Sequence, residues 1–408
     1  MIYNFLKKYL GNSLLKNSLF LLMGSYFNVA SGFFFWIIAA RFYSIEDVGV
    51  ATALMSSLGL VMLFSRFGFD HSIIRYLPIN NKNKVFNSCL IITTISTILV
   101  GFIYILSVNY FSSSLSFMQD FKFVIIFLLF AVMNSITSII GNAFVAMRSG
   151  GLFFFQNVLQ GVRVPLLIPL VFFGSFGIFG SVGISYLITT LFSFLIIKKQ
   201  IGLNFKIDKA FIKESLSYSS GNYISHVLMV SPTLILPILI LNLSGETETA
   251  KYYIAYAIGN LVLIIPDSLG TSLFVEGSHG ESMRKNIKKS LIAIYSFLIP
   301  SVIFLYFFGD ILLGFFGKNY MESFELLRYI ALSSFFVVAY SLFVPIQKVR
   351  MNIASIVKLN LLRFLLLLGL SYVFISIFGI VGAGYAWMLT HVVLGILIYL
   401  LVKNNEWI

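Results

Sequence analysis

The sequence predicts an all-α integral membrane protein of twelve transmembrane helices, in two six-helix bundles related by a pseudo-twofold axis normal to the membrane. Three observations carry this. Of 408 residues, 59% are hydrophobic and only 11% are charged, against about 25% charged in soluble domains. Apolar runs long enough to cross a bilayer recur along the whole chain. The two halves also share short matched motifs. A soluble core could not hide so much apolar surface, so the solvent of most side chains is lipid, and the 44 Phe and 21 Tyr suit lipid-facing and interfacial positions.

A spanning helix needs about 20 mostly apolar residues. Twenty-four uncharged residues separate Lys16 from Arg41, and 18 separate Asp47 from Arg66; these are spans 1 and 2. The run 85–119 holds span 3 and ends in a Ser-rich stretch at 112–116, and 123–147 holds span 4. Residues 149–197 carry Arg163 as their one charge and divide near 175–178 into spans 5 and 6. Runs at 215–245, 252–275, 290–309 and 329–347 supply spans 7 to 10, and 359–402, broken at Gly379 and Gly382, supplies spans 11 and 12. Span 1 follows Lys7, Lys8 and Lys16 as a signal peptide would, but it is too long for an h-region and is read as a retained helix.

With the N-terminus inside, 21 Lys and Arg fall on cytoplasmic segments and five on outer loops. That bias places both termini in the cytoplasm and supports the helix count, because one missed helix would scramble the alternation. The formal charge of +13 is then the signature of loops facing anionic lipid rather than nucleic acid. Cys89, the single cysteine, permits no intrachain disulfide and no Cys-based metal site.

The halves divide at the polar linker "KKQIGLNFKIDKAFIKES" (198–215), giving an N-terminal bundle 1–203 and a C-terminal bundle 204–408. The linker's five Lys alternate with apolar residues, as in an interfacial helix or a solvated loop. "FGIFG" (176–180) recurs as "FGIVG" (378–382), Arg148 matches Arg350, and Arg163 matches Arg363. An even number of helices per half makes the repeats parallel, with a central cavity expected between them.

Polar groups inside spans mark a water-filled interior, since an ionisable group at mid-bilayer costs about 2.5–3.5 kcal/mol on insertion scales. Gln156, Gln160 and Arg163 share one face of span 5 at i, i+4 and i+7. Tyr256, Asn260, Asp267 and Thr271 form a stripe on span 8. Ser219, Asn222, His226 and Thr233 form another on span 7. Ser25 and Asn28 lie on span 1, Arg363 on span 11 and His391 on span 12. Arg163 and Arg363 fit an anion-binding wall, or a pairing with Asp267 or backbone carbonyls. Asp267 fits ion coupling or a structural ion pair; His226 and His391 fit a proton relay or plain packing. Seven of the eight prolines fall within spans, as bending points or static kinks. No P-loop, HExxH motif, Ser-based elbow or "TVGYG" filter is present. No outer loop reaches the size of a catalytic domain, so the chain reads as a transporter without a cofactor, metal or catalytic centre.

"FGFDHSIIRYLP" after span 2 resembles the pattern of polysaccharide-export flippases, in which a Phe-Gly or Leu-Gly, a polar pair and "Arg-Tyr-Leu-Pro" follow that helix. "AARFYSIEDVGVATAL" (39–54) looks like the family's first outer turn. "KYYIAYAIGNLVLIIPDSLGTSLF" (251–274) is similar to its eighth helix, and "FGKNYMESFELLRYIAL" (316–332) and "FGIVGAGYAWML" (378–389) to its C-terminal half. The family is the lipid-linked oligosaccharide, or O-antigen, flippase branch of the multidrug/oligosaccharidyl-lipid/polysaccharide exporter superfamily. The resemblance implies a monomer in the cell membrane that moves a polyprenyl-phosphate-linked oligosaccharide to the outer leaflet by alternating access, with membrane lipids and Na⁺ or H⁺ as further partners. With the polar faces described above, substrate contacts are expected at Arg163, Arg363, Gln156, Gln160, Asn28, Asn260 and Arg75, and ion coupling at Asp267 and His226. Arg66, Asp70, His71 and Arg75 are then a network anchoring the inner loop, with Arg75 able to capture lipid phosphate. The competing readings are a cation-coupled drug or metabolite antiporter of the same fold, and a membrane glycan polymerase or ligase.

Overall fold

The computed structural model describes residues 13–202, 204, 206–278 and 283–404. Lys7, Lys8 and the side chains of Ser219, Arg284 and Lys285 lie outside the described residues. The described residues are predominantly helical and include no strand.

The first four spans form as α1 (Ser13–Phe42), α2 (Ile45–Ser65), α4 (Lys82–Phe111) and α5 (Phe121–Ala146). The Ser44 hydroxyl caps α2 by accepting from the Asp47 amide at 3.1 Å, and Glu46 and Asp47 place negative charge on its first turn. Beyond α2, Phe67 (φ 47°) and Gly68 (φ 79°) are both left-handed and turn the chain into a short amphipathic helix, α3 (Phe69–Tyr76). The stretch with the family's inner-loop pattern is therefore a helix. It buries Phe69, Ile73 and Tyr76 against Phe86, Phe144 and Phe211, and Ser72 accepts a hydrogen bond from Ser215 at 2.7 Å. Arg66 pairs with Asp70 at 3.1 Å, one helical turn apart.

Span 5 is where the expected continuous helix fails. Residues 150–173 fold as α6 (Gly150–Gln160), the single turn α7 (Arg163–Leu166) and a 3₁₀ turn, Val171–Phe173. Pro165 and Pro169 each lack the N–H that would continue the ladder. Around Pro165 the amides tighten to i→i−3 bonds: Val162 to Leu159 at 3.1 Å and Val164 to Gly161 at 3.0 Å before it, and Leu167 to Val164 at 3.3 Å after it. The Tyr43 hydroxyl donates to the Leu167 carbonyl at 2.6 Å, satisfying one main-chain acceptor there. Burial, helped by the Asp47 charge, pushes the Tyr43 pKa up to about 12, so the phenol keeps the proton that it donates. Eleven described helices are long and apolar enough to cross a membrane; the broken segment stands fifth in chain order, where the sequence predicted the remaining span.

Spans 6 to 12 are α8 (Ser175–Ile201), α9 (Lys209–Ser244), α10 (Glu246–Ser278), α11 (Met283–Phe316), α12 (Phe324–Val349), α13 (Ile353–Phe378) and α14 (Val381–Asn404). The second part of the 198–215 linker is the start of α9, capped by Asp208, whose carboxylate accepts from the amides of Ala210 and Phe211, each at 3.1 Å. The Phe211 amide bond, with Lys84 nearby, lowers the Asp208 pKa below the usual carboxylate range. α9 continues as a helix through Pro232 and Pro237.

The helices fall into two compact units, one within Met1–Asp47 and Ser57–Tyr223, the other within Val48–Ser56 and Ile224–Ile408. In the first, α1 packs on α6 and α7, and α5 packs on α4 and α8. In the second, α12 packs on α10 and α14, and α14 on α13. Outward-facing apolar side chains such as Phe102 and Ile103 on α4, and Phe297, Phe304 and Phe307 on α11, are exposed, as lipid-facing surfaces should be.

Backbone geometry sets the register of the internal repeat. Gly174 (φ 56°) precedes α8 and Gly379 (φ 61°) precedes α14. Three residues on, a Cβ on Gly177 would collide with the Leu170 carbonyl, and one on Gly382 with the Phe374 carbonyl. The equivalent stretches are therefore "GSFG" (174–177) and "GIVG" (379–382), not "FGIFG" and "FGIVG". Likewise Arg148 (φ 56°) matches Met351 (φ 55°) rather than Arg350. Each closes its helix with the same pair of bonds: Ser149 to Phe144 and Asn352 to Gln347, both at 2.9 Å, beside Arg148 to Val145 and Met351 to Lys348, both at 3.0 Å.

Candidate functional site: a polar cavity in each unit

In the first unit, the break after α6 presents Arg163 to α1. Its Nη2 donates to the Asn28 carbonyl at 3.2 Å, to Asn28 Oδ1 at 2.9 Å and to Ser31 Oγ at 3.1 Å, and the guanidinium lies over the Phe35 ring at 5.8 Å. Asn28 in turn donates to Asn157 Oδ1 at 3.0 Å. Asn28, Asn157, Gln156 and Gln160 line a cavity of about 220 Å³, with Arg66 and Tyr186 on its wall. Gln156 is buried and donates to the Thr137 carbonyl at 2.8 Å. Of the seven residues expected to contact substrate, four thus share one connected polar region. Because the helix breaks between Gln160 and Arg163, they share it through Asn28 and not as one continuous helical stripe. Arg75 is elsewhere, exposed on α3 beside its neighbour Tyr76, with 5.6 Å from guanidinium to ring centroid.

In the second unit, a cavity of about 400 Å³ is lined by Arg363, Asp267, Asn260, Tyr340, Lys348 and His391 among others. Arg363 is buried and donates to the Met229 carbonyl at 2.9 Å. Its guanidinium sits 5.3 Å from the Tyr340 ring and 5.7 Å from the Trp387 ring. The Tyr340 hydroxyl donates to Asn360 Oδ1 at 2.7 Å, and Asn360 Nδ2 donates to Ser225 on α9. The Asp267 carboxylate accepts from Ser341 and faces the cavity. His391 is buried, with Nδ1 at 2.8 Å from the Trp387 carbonyl and its ring stacked on that indole. His226 is exposed on α9 and is not part of the cavity wall.

The two arginines repeat one arrangement. Each leaves the second-last span of its half and donates to a main-chain carbonyl on the first span of that half, Asn28 in one case and Met229 in the other. Donation to a neutral carbonyl does not cancel a guanidinium's charge, so these bonds leave both arginines able to attract an anion. Asn157, Tyr340, Asn360 and Trp387 were not among the expected site residues. Asn360, one turn before Arg363, carried a signal in its spacing; aromatic residues are too frequent in this chain for Tyr340 or Trp387 to stand out.

No curated protein matches the sequence significantly, whereas solved structures match over nearly its whole length. A lipid II flippase, MurJ, in an inward closed conformation aligns with TM-score 0.74 and 16% identity, covering 94% of this chain and 87% of that one. An inward-facing multidrug-resistance MATE family transporter of the MOP superfamily aligns with TM-score 0.68 and 14% identity, over 93% and 94% of the two chains. The MATE multidrug transporter DinF-BH aligns with TM-score 0.63 and 16% identity, over 97% and 95%. The fold is therefore the one shared by these transporters and the lipid II flippase. The family model described as polysaccharide biosynthesis protein matches residues 14–274, more than half of the sequence. This multi-pass membrane protein belongs to the polysaccharide biosynthesis protein family.

Proposed function

We propose that the chain is a flippase that carries a polyprenyl-phosphate-linked oligosaccharide from the cytoplasmic to the outer leaflet of the cell membrane by alternating access. The family points to glycan assembly, and the fold is shared with a lipid II flippase. The observation that carries the reading is the pair of matched arginines, Arg163 and Arg363, each held on a main-chain carbonyl beside a polar cavity. An anionic phosphate linker needs such cations. The glycan needs polar walls, and the lipid tail can stay in the bilayer. Both termini lie in the cytoplasm on this reading, as the distribution of Lys and Arg requires.

A second reading within the same fold is a cation-coupled antiporter. Asp267, a carboxylate facing the second cavity, favours it and also supplies a coupling site for Na⁺ or H⁺ in the flippase. A strain lacking its own flippase distinguishes the two. Expression of this chain restores surface glycan if it is a flippase, and drug resistance without surface glycan marks the antiporter.

A further inference from the structure

The first unit's cavity has a composition that the arginine network does not explain. Six carboxamides line it: Asn28, Asn134, Asn142, Gln156, Asn157 and Gln160. Hydroxyls of Thr137, Ser138 and Tyr186 complete the polar wall. Among the described lining residues Arg66 is the one charged group, and Asp70 engages that charge at 3.1 Å. No carboxylate is among the described lining residues.

The wall has a fixed part and an open part. Gln156 is tied to the Thr137 carbonyl at 2.8 Å, Asn28 to Asn157 at 3.0 Å, and Asn157 to the Phe153 carbonyl at 2.8 Å. Asn134, Ser138 and Asn142 stand at i, i+4 and i+8 on α5 and form a stripe facing the cavity. These three, with Gln160 and Tyr186, have no hydrogen-bond partner among the described residues.

A carboxamide offers a donor and an acceptor on neighbouring atoms. That combination answers a sugar hydroxyl, which both donates and accepts, and equally an acetamido group. An anion would use the donors alone: Arg66 on the wall is already engaged by Asp70, and Arg163 is not among the described lining residues, its Nη2 donating to Asn28 and Ser31. A metal ion would find no carboxylate. The volume of about 220 Å³ equals that of about seven waters at ~30 Å³ each, which suits a single pyranose ring.

We propose that this cavity is a neutral-sugar site, taking one hexose or N-acetylhexosamine ring and discriminating against uronic acids. As a statement about the translocated glycan it rests on the flippase reading; as a binding site it stands apart from it. Titration calorimetry on the full chain in lipid nanodiscs, with N,N′-diacetylchitobiose, maltose and digalacturonic acid, tests it. A neutral disaccharide binds at least about tenfold more tightly than digalacturonic acid. N134L/N142L weakens neutral-sugar binding about tenfold or more, as expected for two lost hydrogen bonds. Q160K, which adds an unpaired cation at a half-buried position, raises binding of digalacturonic acid about tenfold, and this arm decides the matter if the double variant does not fold. Equal or tighter binding of digalacturonic acid to the unaltered chain overturns the proposal. So does absence of neutral-sugar binding, or neutral-sugar binding unchanged in a folded N134L/N142L. Sugar binding without lipid flipping would defeat the flippase reading and leave the site standing; flipping without sugar binding would do the reverse.

Discussion

Arg163 shows how a single intramembrane charge is made tolerable. Its guanidinium is solvated by a carbonyl, a carboxamide and a hydroxyl, all within 3.2 Å, while the charge stays uncancelled by those three groups. Arg163→Ala should therefore reduce surface glycan by about tenfold or more at matched expression, the scale of losing charge-assisted contacts to substrate, with insertion retained. Arg163→Lys should keep partial activity, because charge survives and fork geometry does not. Asp267 makes a separate prediction. Asp267→Asn removes the charge but keeps the Ser341 contact, so transport should lose its dependence on an ion gradient while the protein still folds. Gradient dependence unchanged in that variant would make Asp267 a structural group. Arg163, Gln156, Asn28, Arg363, Asn260 and Asp267 stand out in the sequence as polar groups in apolar spans, and the structure places them on or beside the two cavity walls. Arg75 and His226 satisfied the same rule, but the structure brings neither to a cavity wall. A position near a helix end, or on the lipid side, gives a polar residue water or headgroups for reasons unrelated to a cavity.

At the scale of elements, the departure at span 5 has a chemical cause that was visible: two prolines four residues apart, Pro165 and Pro169. They marked a kink, yet composition alone could not tell a kinked helix from the broken one observed, because that depends on partners such as Tyr43 for the freed carbonyls. The repeat register was misplaced for a similar reason. "FGIFG" and "FGIVG" match as letters, whereas the backbone pairs the glycines that adopt positive φ and those that admit a neighbouring carbonyl. Gly177→Ala and Gly382→Ala should each destabilise their unit by about 1–3 kcal/mol, the usual cost of overpacking. Gly180→Ala, where a Cβ meets nothing within 4 Å, should be close to neutral. Thermal unfolding of the three variants in detergent checks this. At the cytoplasmic linker, the lowered pKa of Asp208 means that its capping contribution is present above the ordinary carboxylate pKa and is lost as pH falls through its own lower value. Amide exchange in the first turn of α9 should rise over that acidic window and should already be raised in Asp208→Ala at neutral pH.

For the whole molecule, charge alternation along the chain predicts which ends face the cytoplasm. Cysteine labels at Ser113, in the turn after α4, and at Lys206, before α9, should react from opposite sides of the membrane; labelling of both from the same side would defeat the topology. The helical nature of the spans, and eleven of the twelve expected, could be read from the sequence, because hydropathy and length are local properties. The cavities could not, because they depend on which faces of α1, α5 and α6, or of α10, α12 and α13, meet. The central claim is that the chain moves a lipid-linked oligosaccharide between leaflets, and reconstitution tests it most directly. Purified chain in liposomes containing a fluorescent polyprenyl-diphosphate oligosaccharide in both leaflets would be challenged with a membrane-impermeant quencher. Substrate in the inner leaflet should become accessible with the chain present, and should stay protected both in protein-free liposomes and with Arg163→Ala. Equal accessibility with and without the protein, or full activity of Arg163→Ala, would contradict the account.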